Sequence, residues 1–184
     1  MTKIILSMFL SLDGYIEAPG RQLAPPADTP DLRRYWIAEH LNNGGTLLYG
    51  RTCYTFMAGF WMSPDAPQGE ARKLASLPKV VFSRTLQEAA WANTTIARDP
   101  VAEVARIKAA GGKDALLFGG AGIARSFMAH RLFDEYRLMV TPTILGGGTP
   151  LFEGGHARFD LTLLDTVRLD NGAVILHYRD ERKP

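Results

Sequence analysis

The stretch Ala115-Leu116-Leu117-Phe118-Gly119-Gly120-Ala121-Gly122 is the most informative part of this sequence for the fold. An apolar run of strand length meets two glycines, and a segment of helical period follows, with Ile123, Ala124, Phe127 and Met128 on one side. A buried strand that turns directly into a helix is typical of α/β domains with parallel sheets. We therefore expect an α/β fold with a mostly parallel central sheet.

The same junction is a candidate phosphate site. Glycine lets backbone N–H groups approach a ligand, and the start of a helix supplies unpaired donors with a partial positive charge. The candidate residues are Gly119, Gly120, Ala121, Gly122 and Ile123. A tight turn that binds nothing explains them equally well, because short glycine motifs often arise without a ligand.

Two other strands end in residues that suit phosphate. Gly50-Arg51-Thr52 follows an apolar strand; Arg51 could pair with phosphate, and Thr52 could cap a helix or donate to an anion. Ser83-Arg84 follows another strand and suits a ribose 2′-phosphate, where NAD-specific sites commonly carry a carboxylate. Taken singly, an ordinary helix cap and a surface arginine explain these residues. Because parallel strands end at one edge of a sheet, the three junctions together predict one anion-binding site.

The rest of the chain supplies the remaining elements of such a sheet. Further strands are expected at 3–9, 46–49, 79–82 and 136–145, and a closing hairpin at 161–169 and 173–178 around Asn171-Gly172. Helices are expected from Asp31, from Arg51 or Thr52, over 100–110 and after Ala121. Two long loops, 11–29 and 59–69, are rich in glycine and proline, and loops of this length are often functional.

Composition limits the class of protein. A chain of 184 residues with 46% hydrophobic content fits one domain over 1–184, and its net charge of +2 argues against a nucleic-acid or membrane-surface protein. One cysteine, Cys53, rules out an internal disulfide, and the four histidines (including His156) show no metal-ligand spacing, so no metal is expected. The apolar amino terminus stops at Asp13 without a cleavage pattern, and we expect a cytoplasmic protein.

Five segments, in order along nearly the whole chain, carry a family resemblance. They are SLDGYIEAPG (11–20), LLYGRTCYTF (47–56), LPKVVFSRTL (77–86), LLFGGAGIARSF (116–127) and DEYRLMVTPTILGGGTPLF (134–152). Together they resemble the dihydrofolate-reductase-like family that includes the carboxyl-terminal reductase domain of bifunctional riboflavin-biosynthesis enzymes. The resemblance implies a three-layer α/β fold.

The resemblance also implies a function. It implies NADPH as cofactor, with Gly50, Arg51 and Thr52 near the phosphates, Ser83 and Arg84 at the 2′-phosphate, and the stretch from Gly119 to Ile123 beside the pyrophosphate. It implies hydride transfer to a C=N or C=O bond of a small substrate such as 5-amino-6-(5-phosphoribosylamino)uracil, and a homodimer. Tyr15 stands where the riboflavin reductases usually carry a basic residue, which leaves that substrate open. A dihydrofolate or pteridine reductase and a non-catalytic nucleotide-binding protein are the alternatives.

Two carboxylates are candidate catalytic acids. Asp13 follows the first strand beside Gly14, where a loop could bring it over the nicotinamide, although an Asx turn explains it nearly as well. Asp31 opens the first helix, where a capping role is simplest, but PDLRRYW resembles the dihydrofolate reductase stretch whose carboxylate touches the pterin.

Trp36, Phe60 and Trp61 could line a pocket for a flat ring, although residues at these spacings are more often core.

Overall fold

An eight-stranded sheet forms the centre of the structure, a computed structural model that describes residues 1–154 and 157–182; His156 lies outside them. In chain order the strands are β1 (Ile4–Ser11), β2 (Tyr15–Glu17), β3 (Thr46–Gly50), β4 (Lys79–Phe82), β5 (Thr94–Ala97), β6 (Ala115–Gly119), β7 (Glu135–Thr141), β8 (Thr149–Pro150), β9 (Leu161–Arg168) and β10 (Val174–Asp180). The sheet has the order β5-β4-β3-β6-β1-β7-β10-β9, and β2 pairs separately with β8. The strands from β5 to β7 are parallel, whereas β10 is antiparallel to β7 and β9. This confirms the predicted mostly parallel sheet with a carboxyl-terminal hairpin.

Helices cover both faces of the sheet. They are α1 (Pro30–Trp36), α2 (Arg51–Trp61), α3 (Gln68–Ser76), α4 (Pro100–Ala110) and α5 (Ala121–Ala129), and a π-helix (Ile37–Asn43) continues α1. The inner sides of α4 and α5 share one hydrophobic cluster with alternate residues of β1, whereas α2, α3 and the π-helix share a second cluster on the opposite face. Side chains of α1 pack against β10 in a third cluster. The predicted three-layer fold is therefore confirmed.

Apolar runs became strands because the layers bury both of their faces. In β1 every residue but Phe9 is buried, so its sequence shows no alternation between apolar and polar positions. Helix starts also follow local chemistry. Thr29 caps α1 and Asp99 caps α4, and a proline follows each cap at the first helical position.

The elements that the sequence missed or misplaced lack a strong local pattern. The edge strand β5 (TTIA) has no apolar run, and α3 lies in a polar stretch that begins inside the predicted loop 59–69. The loop 11–29 contains β2, and the strand predicted over 136–145 ends at Thr141, before Pro142. Proline has no N–H to donate to a neighbouring strand, which explains this end.

No helix among residues 1–154 and 157–182 is long and apolar enough to cross a membrane. Within the same residues, no group of three or more His, Cys, Asp or Glu side chains is placed to hold a metal ion.

Candidate functional site

A cleft of about 1240 Å³ opens beside the carboxyl ends of β3, β4 and β6. We call one part of it the glycine arm, which consists of the ten residues predicted to bind the cofactor: Gly50, Arg51, Thr52, Ser83, Arg84, Gly119, Gly120, Ala121, Gly122 and Ile123. All ten line this one cleft, so the structure brings the three junctions together. Their role in cofactor binding stays a prediction.

Glycine is required where the ends of β3 and β6 meet. Gly120 has a φ of 104°, and a Cβ on it would lie 3.0 Å from the Cα of Gly50. A Cβ on Gly119 would lie 2.6 Å from the Sγ of Cys53, whereas the space around Gly122 is open. Close packing of two strand ends thus explains the glycine pair, and it leaves backbone on the wall of the cleft.

Two helices begin at this contact without a side-chain cap. Gly50 precedes α2 and Gly120 precedes α5, and neither can supply a capping oxygen. The N–H groups of both first turns therefore have no cap side chain to donate to, unlike those of α1 and α4. Two helix starts with partial positive charge in one cleft suit a ligand with more than one phosphate.

An arginine that the sequence analysis missed shapes the end of β4. Arg98 follows the undetected strand β5; its Nη2 donates to the carbonyl oxygen of Leu86 at 2.6 Å and its Nη1 donates to that of Ser83. The Ser83 hydroxyl accepts from the amides of Thr85 and Leu86 at 3.2 and 3.0 Å. This turn presents Arg84, which is exposed and lines the cleft. Finding β5 would have revealed Arg98 as a third strand-end arginine, after Arg51 and Arg84.

The second part of the cleft, which we call the aromatic arm, lies between α1 with its π-helix and the carboxyl-terminal half of α2. Its residues are Leu32, Trp36, His40, Phe56, Met57, Phe60 and Trp61. The rings of Trp36 and Trp61 stack with centroids 5.5 Å apart and planes 13° apart, and Phe60 meets Trp61 edge-on. The pocket that the sequence suggested for these three residues is present, and α1 and α2 together build it.

A buried histidine lies at the base of the aromatic arm. The Nδ1 of His40 is 3.0 Å from the carbonyl oxygen of Trp36, and its Nε2 is 3.0 Å from the Ser7 hydroxyl. Because a carbonyl only accepts, Nδ1 carries the proton and Nε2 accepts from Ser7. Burial lowers the pKa of His40 to about 3, so the ring is neutral. The sequence showed no signal for this pair, since Ser7 and His40 lie in distant segments.

A chain of ion pairs closes the far side of the aromatic arm. Arg137 lines the cleft, and its guanidinium donates to Glu39 and, at 3.2 Å, to Glu135. Glu135 also accepts from Lys3 at 2.5 Å and lies 2.8 Å from the Nε2 of His177. Burial alone would raise the pKa of Glu135, but the hydrogen bonds from Lys3 and His177 lower it overall. Glu135 is therefore a buried carboxylate anion.

Asp13 holds a loop and does not line the cleft. Its carboxylate accepts from the Ser11 hydroxyl at 2.6 Å and from the amides of Leu145 and Gly146 at 3.1 and 2.8 Å. The hydrogen bond from Ser11 is the main cause of its lowered pKa. A carboxylate held in this way as an anion is poorly suited to donate a proton, so the catalytic role of Asp13 stays a prediction without structural support.

Asp31 also lies outside the lining of the cleft. It sits in the first turn of α1, where its carboxylate pairs with Arg34 one turn later. Its role as a catalytic acid likewise stays a prediction.

A different carboxylate, Glu17 of β2, does line the cleft; it accepts from the Thr149 hydroxyl at 3.0 Å. It is close enough to Cys53 to help raise that thiol's pKa, which burial chiefly raises to about 12.

Known proteins are similar to this chain in sequence and in fold. The family model described as RibD C-terminal domain matches residues 2–175. YyaP of Bacillus subtilis (strain 168) is 32% identical over 179 residues, which are 96% of this chain and 94% of that protein. A putative riboflavin biosynthesis protein from Shewanella sp. PV-4 has a TM-score of 0.75 at 22% identity, covering 98% of this chain and 100% of that one. Dihydrofolate reductase from Enterococcus faecalis, complexed with NADP(H), has a TM-score of 0.66 at 14% identity, covering 97% and 96%.

Proposed function

The chain belongs to the RibD C-terminal domain family, and from that premise we propose that it is an NADPH-dependent reductase acting on a C=N or C=O bond of a small heterocyclic substrate. The glycine arm is the observation that carries this proposal. It combines two uncapped helix starts, glycine backbone and exposed arginines along one wall of a cleft. This combination suits a phosphate-bearing cofactor.

The residues of the glycine arm fit the parts of the cofactor. We assign the first turns of α2 and α5 to the pyrophosphate, because their N–H groups have no capping partner. We assign Ser83 and Arg84 to the 2′-phosphate, with Arg98 fixing the turn that carries them. When bound, NADPH supplies the hydride.

The aromatic arm favours a reductase over a protein that binds a nucleotide without turnover. A cofactor in the glycine arm leaves a second pocket, lined by Trp36 and Trp61, in which a flat ring could stack. The dihydrofolate alternative depended on a carboxylate at Asp31, and that side chain pairs with Arg34 outside the lining of the cleft. The observed contacts therefore favour a substrate other than a pterin.

Reduction also requires a proton at the substrate heteroatom. We assign this role to Glu17, because it lines the cleft beside Cys53 and the packed glycines, whereas Asp13 and Asp31 do not line it. A general acid typically contributes about 100-fold or more to the rate, so Glu17→Gln should slow turnover by that factor without changing NADPH affinity. Equal turnover of the variant and the native protein would exclude Glu17.

Titration of NADPH and NADH by nicotinamide fluorescence tests the cofactor assignment. We expect tighter binding of NADPH, and a loss of about 10- to 100-fold of that preference in Arg84→Ala, because a hydrogen bond to a charged group is worth about 1.5–3 kcal/mol. Arg72→Ala is the matched control, since Arg72 is exposed but lies outside the lining of the cleft. Equal affinity of the native protein for both cofactors would refute the proposal.

The homodimer implied by the resemblance remains part of this proposal. The strand β9 lies at the edge of the sheet and exposes Leu163, Leu164 and Val167 by 52, 42 and 37%. An exposed apolar edge strand can pair with a second copy of the same chain. Light scattering coupled to size-exclusion chromatography tests this, and a monomer at all concentrations would exclude the dimer.

A further inference from the structure

The arginines of the two arms differ in their partners. In the glycine arm, Arg51 and Arg84 pair with no carboxylate of residues 1–154 or 157–182. On the side of the aromatic arm, Arg33 and Arg137 also line the cleft, but both are bound by carboxylates. Of these four arginines, a phosphate group therefore finds only Arg51 and Arg84 without a carboxylate partner.

Arg137 is held firmly. Its side chain is 17% exposed and that of its partner Glu39 is 16% exposed, while its other partner, Glu135, is 2% exposed. Taking Arg137 from these carboxylates would break the ion pair of the largely buried Glu39 and leave Glu135 with only Lys3 and His177, which is unfavourable. An anionic ligand therefore cannot recruit this guanidinium at low cost.

Arg33 is more exposed but is also neutralised. Its Nε donates to both carboxylate oxygens of Asp28, at 2.8 and 3.0 Å. Glu70 lies close enough to help raise the pKa of Arg33, after the larger effect of Asp28, and both carboxylates line the cleft. Two carboxylates thus offset the single positive charge of Arg33, so this position offers an anion no net attraction.

The walls of the aromatic arm are apolar where they face solvent. Phe60 and Phe56 are 46 and 57% exposed, and the neighbouring Leu23, which also lines the cleft, is 44% exposed. At the base, the polar groups Ser7 and His40 bond to each other, so little unpaired polarity remains there. Exposed apolar side chains grouped in one concave site are typical of a binding surface for an apolar ligand.

We propose that the aromatic arm takes a planar aromatic molecule that carries neither phosphate nor carboxylate. This inference rests on the proposed function, because it assigns all anionic recognition in the cleft to the cofactor. It excludes a phosphoribosyl pyrimidine as substrate and selects an uncharged aromatic imine or carbonyl compound.

A matched pair of probes tests the proposal. 2-Naphthol and 2-naphthyl phosphate share one ring system and differ in the phosphate group. Each is titrated by calorimetry into the full-length protein with saturating NADP⁺, which occupies the glycine arm. We expect 2-naphthol to bind at least about 10-fold more tightly, since the phosphate must lose hydration beside paired charges.

Variants locate the probe. Phe60→Ala should lower the affinity for 2-naphthol about 10-fold, because it removes an aromatic ring on which the probe stacks and against which it is buried. Phe152→Ala is the matched control, because Phe152 is 47% exposed, nearly the same as Phe60, but does not line the cleft. Asp28→Asn releases Arg33 and should therefore strengthen 2-naphthyl phosphate several-fold while leaving 2-naphthol unchanged. Arg21→Ala tests the exposed cation on the loop after β2, and it should change the affinity for neither probe.

The outcomes separate the two proposals. Preferred binding of 2-naphthyl phosphate, equal binding of both probes, binding of neither, or a loss of 2-naphthyl phosphate affinity in Arg21→Ala would overturn this inference. If NADPH is still preferred over NADH in the same preparation, the proposed function survives that result. If NADPH does not bind at all, the proposed function fails and this inference fails with it.

Discussion

The contact between Gly119 and Cys53 allows a double-mutant cycle on the wall of the cleft. A methyl group on Gly119 would lie 2.6 Å from the Cys53 Sγ but 3.4 Å from the Cys53 Cβ. Gly119→Ala should therefore overpack the site, and Cys53→Ala should make room for the new methyl group. The backbone of Gly119 is not in the left-handed region, so overlap with the sulfur is the expected cause of any loss.

The magnitude follows from packing. Extra methyl groups in a well-packed site typically cost about 1–3 kcal/mol, so Gly119→Ala should lower the free energy of unfolding by that amount. Cys53→Ala alone leaves a small cavity and should cost about 1 kcal/mol. In the double variant the methyl group fills the space of the sulfur, and the coupling between the sites should be favourable by about 1–2 kcal/mol.

Urea unfolding of the four proteins measures this coupling, and NADPH titration reports whether the wall of the cleft is restored. We expect Gly119→Ala to bind NADPH more weakly, because the end of β6 must shift, and the double variant to recover affinity. Additive losses of stability, with no recovery of NADPH binding, would refute the packing account of this glycine.

Three further results are expected. In urea unfolding, Gly120→Ala should lower the free energy of unfolding by about 2–5 kcal/mol, because backbone strain at φ 104° adds to overlap with Gly50. Gly122→Ala should raise it by about 0.5–1 kcal/mol, because the space around Gly122 is open and alanine favours a helix. Because burial lowers the pKa of His40 from 6.5 to about 3, the unfolded chain binds more protons between these values, and stability should fall by about 1 kcal/mol per pH unit as the pH drops through this range. Urea unfolding of His40→Gln should show a shallower decline; identical slopes would contradict a buried neutral ring. Asp13→Ala should speed hydrogen exchange at the two loop amides that it binds, and unchanged exchange would mean that other contacts hold this loop.

Much of the fold was predictable because its signals are local. The run before Gly119-Gly120 and the run before Gly50 are buried on both faces, and continuous burial leaves an unbroken apolar sequence. The turn at Asn171-Gly172 is also recognisable in the sequence, because Asn-Gly favours a tight hairpin turn that needs positive φ angles, and Gly172 adopts a φ of 82°. By contrast β5 and α3 are half-exposed elements, and their stability comes from neighbours that a local pattern cannot show.

The candidate site likewise has a part that local sequence indicated and a part that only tertiary contacts build. All ten residues that the sequence suggested for cofactor binding line one cleft, because parallel topology brings strand ends together; their binding role stays a prediction. The aromatic arm, the Ser7–His40 pair and the chain from Arg137 to Lys3 depend on contacts between distant segments.

Only the tertiary structure decided which carboxylates line the cleft. Asp13 and Asp31 stand in motifs that suggest catalysis. In the structure, however, Asp13 binds the amide of Gly146 in a loop and Asp31 pairs with Arg34 on α1. Glu17 lines the cleft instead, on the strand β2 that pairs with β8. The glycine pair could be found in the sequence because strand, turn and helix are consecutive there. Which acid lines the same cleft is fixed by the pairing of β2 with β8, more than a hundred residues apart in the chain, and no local pattern records that.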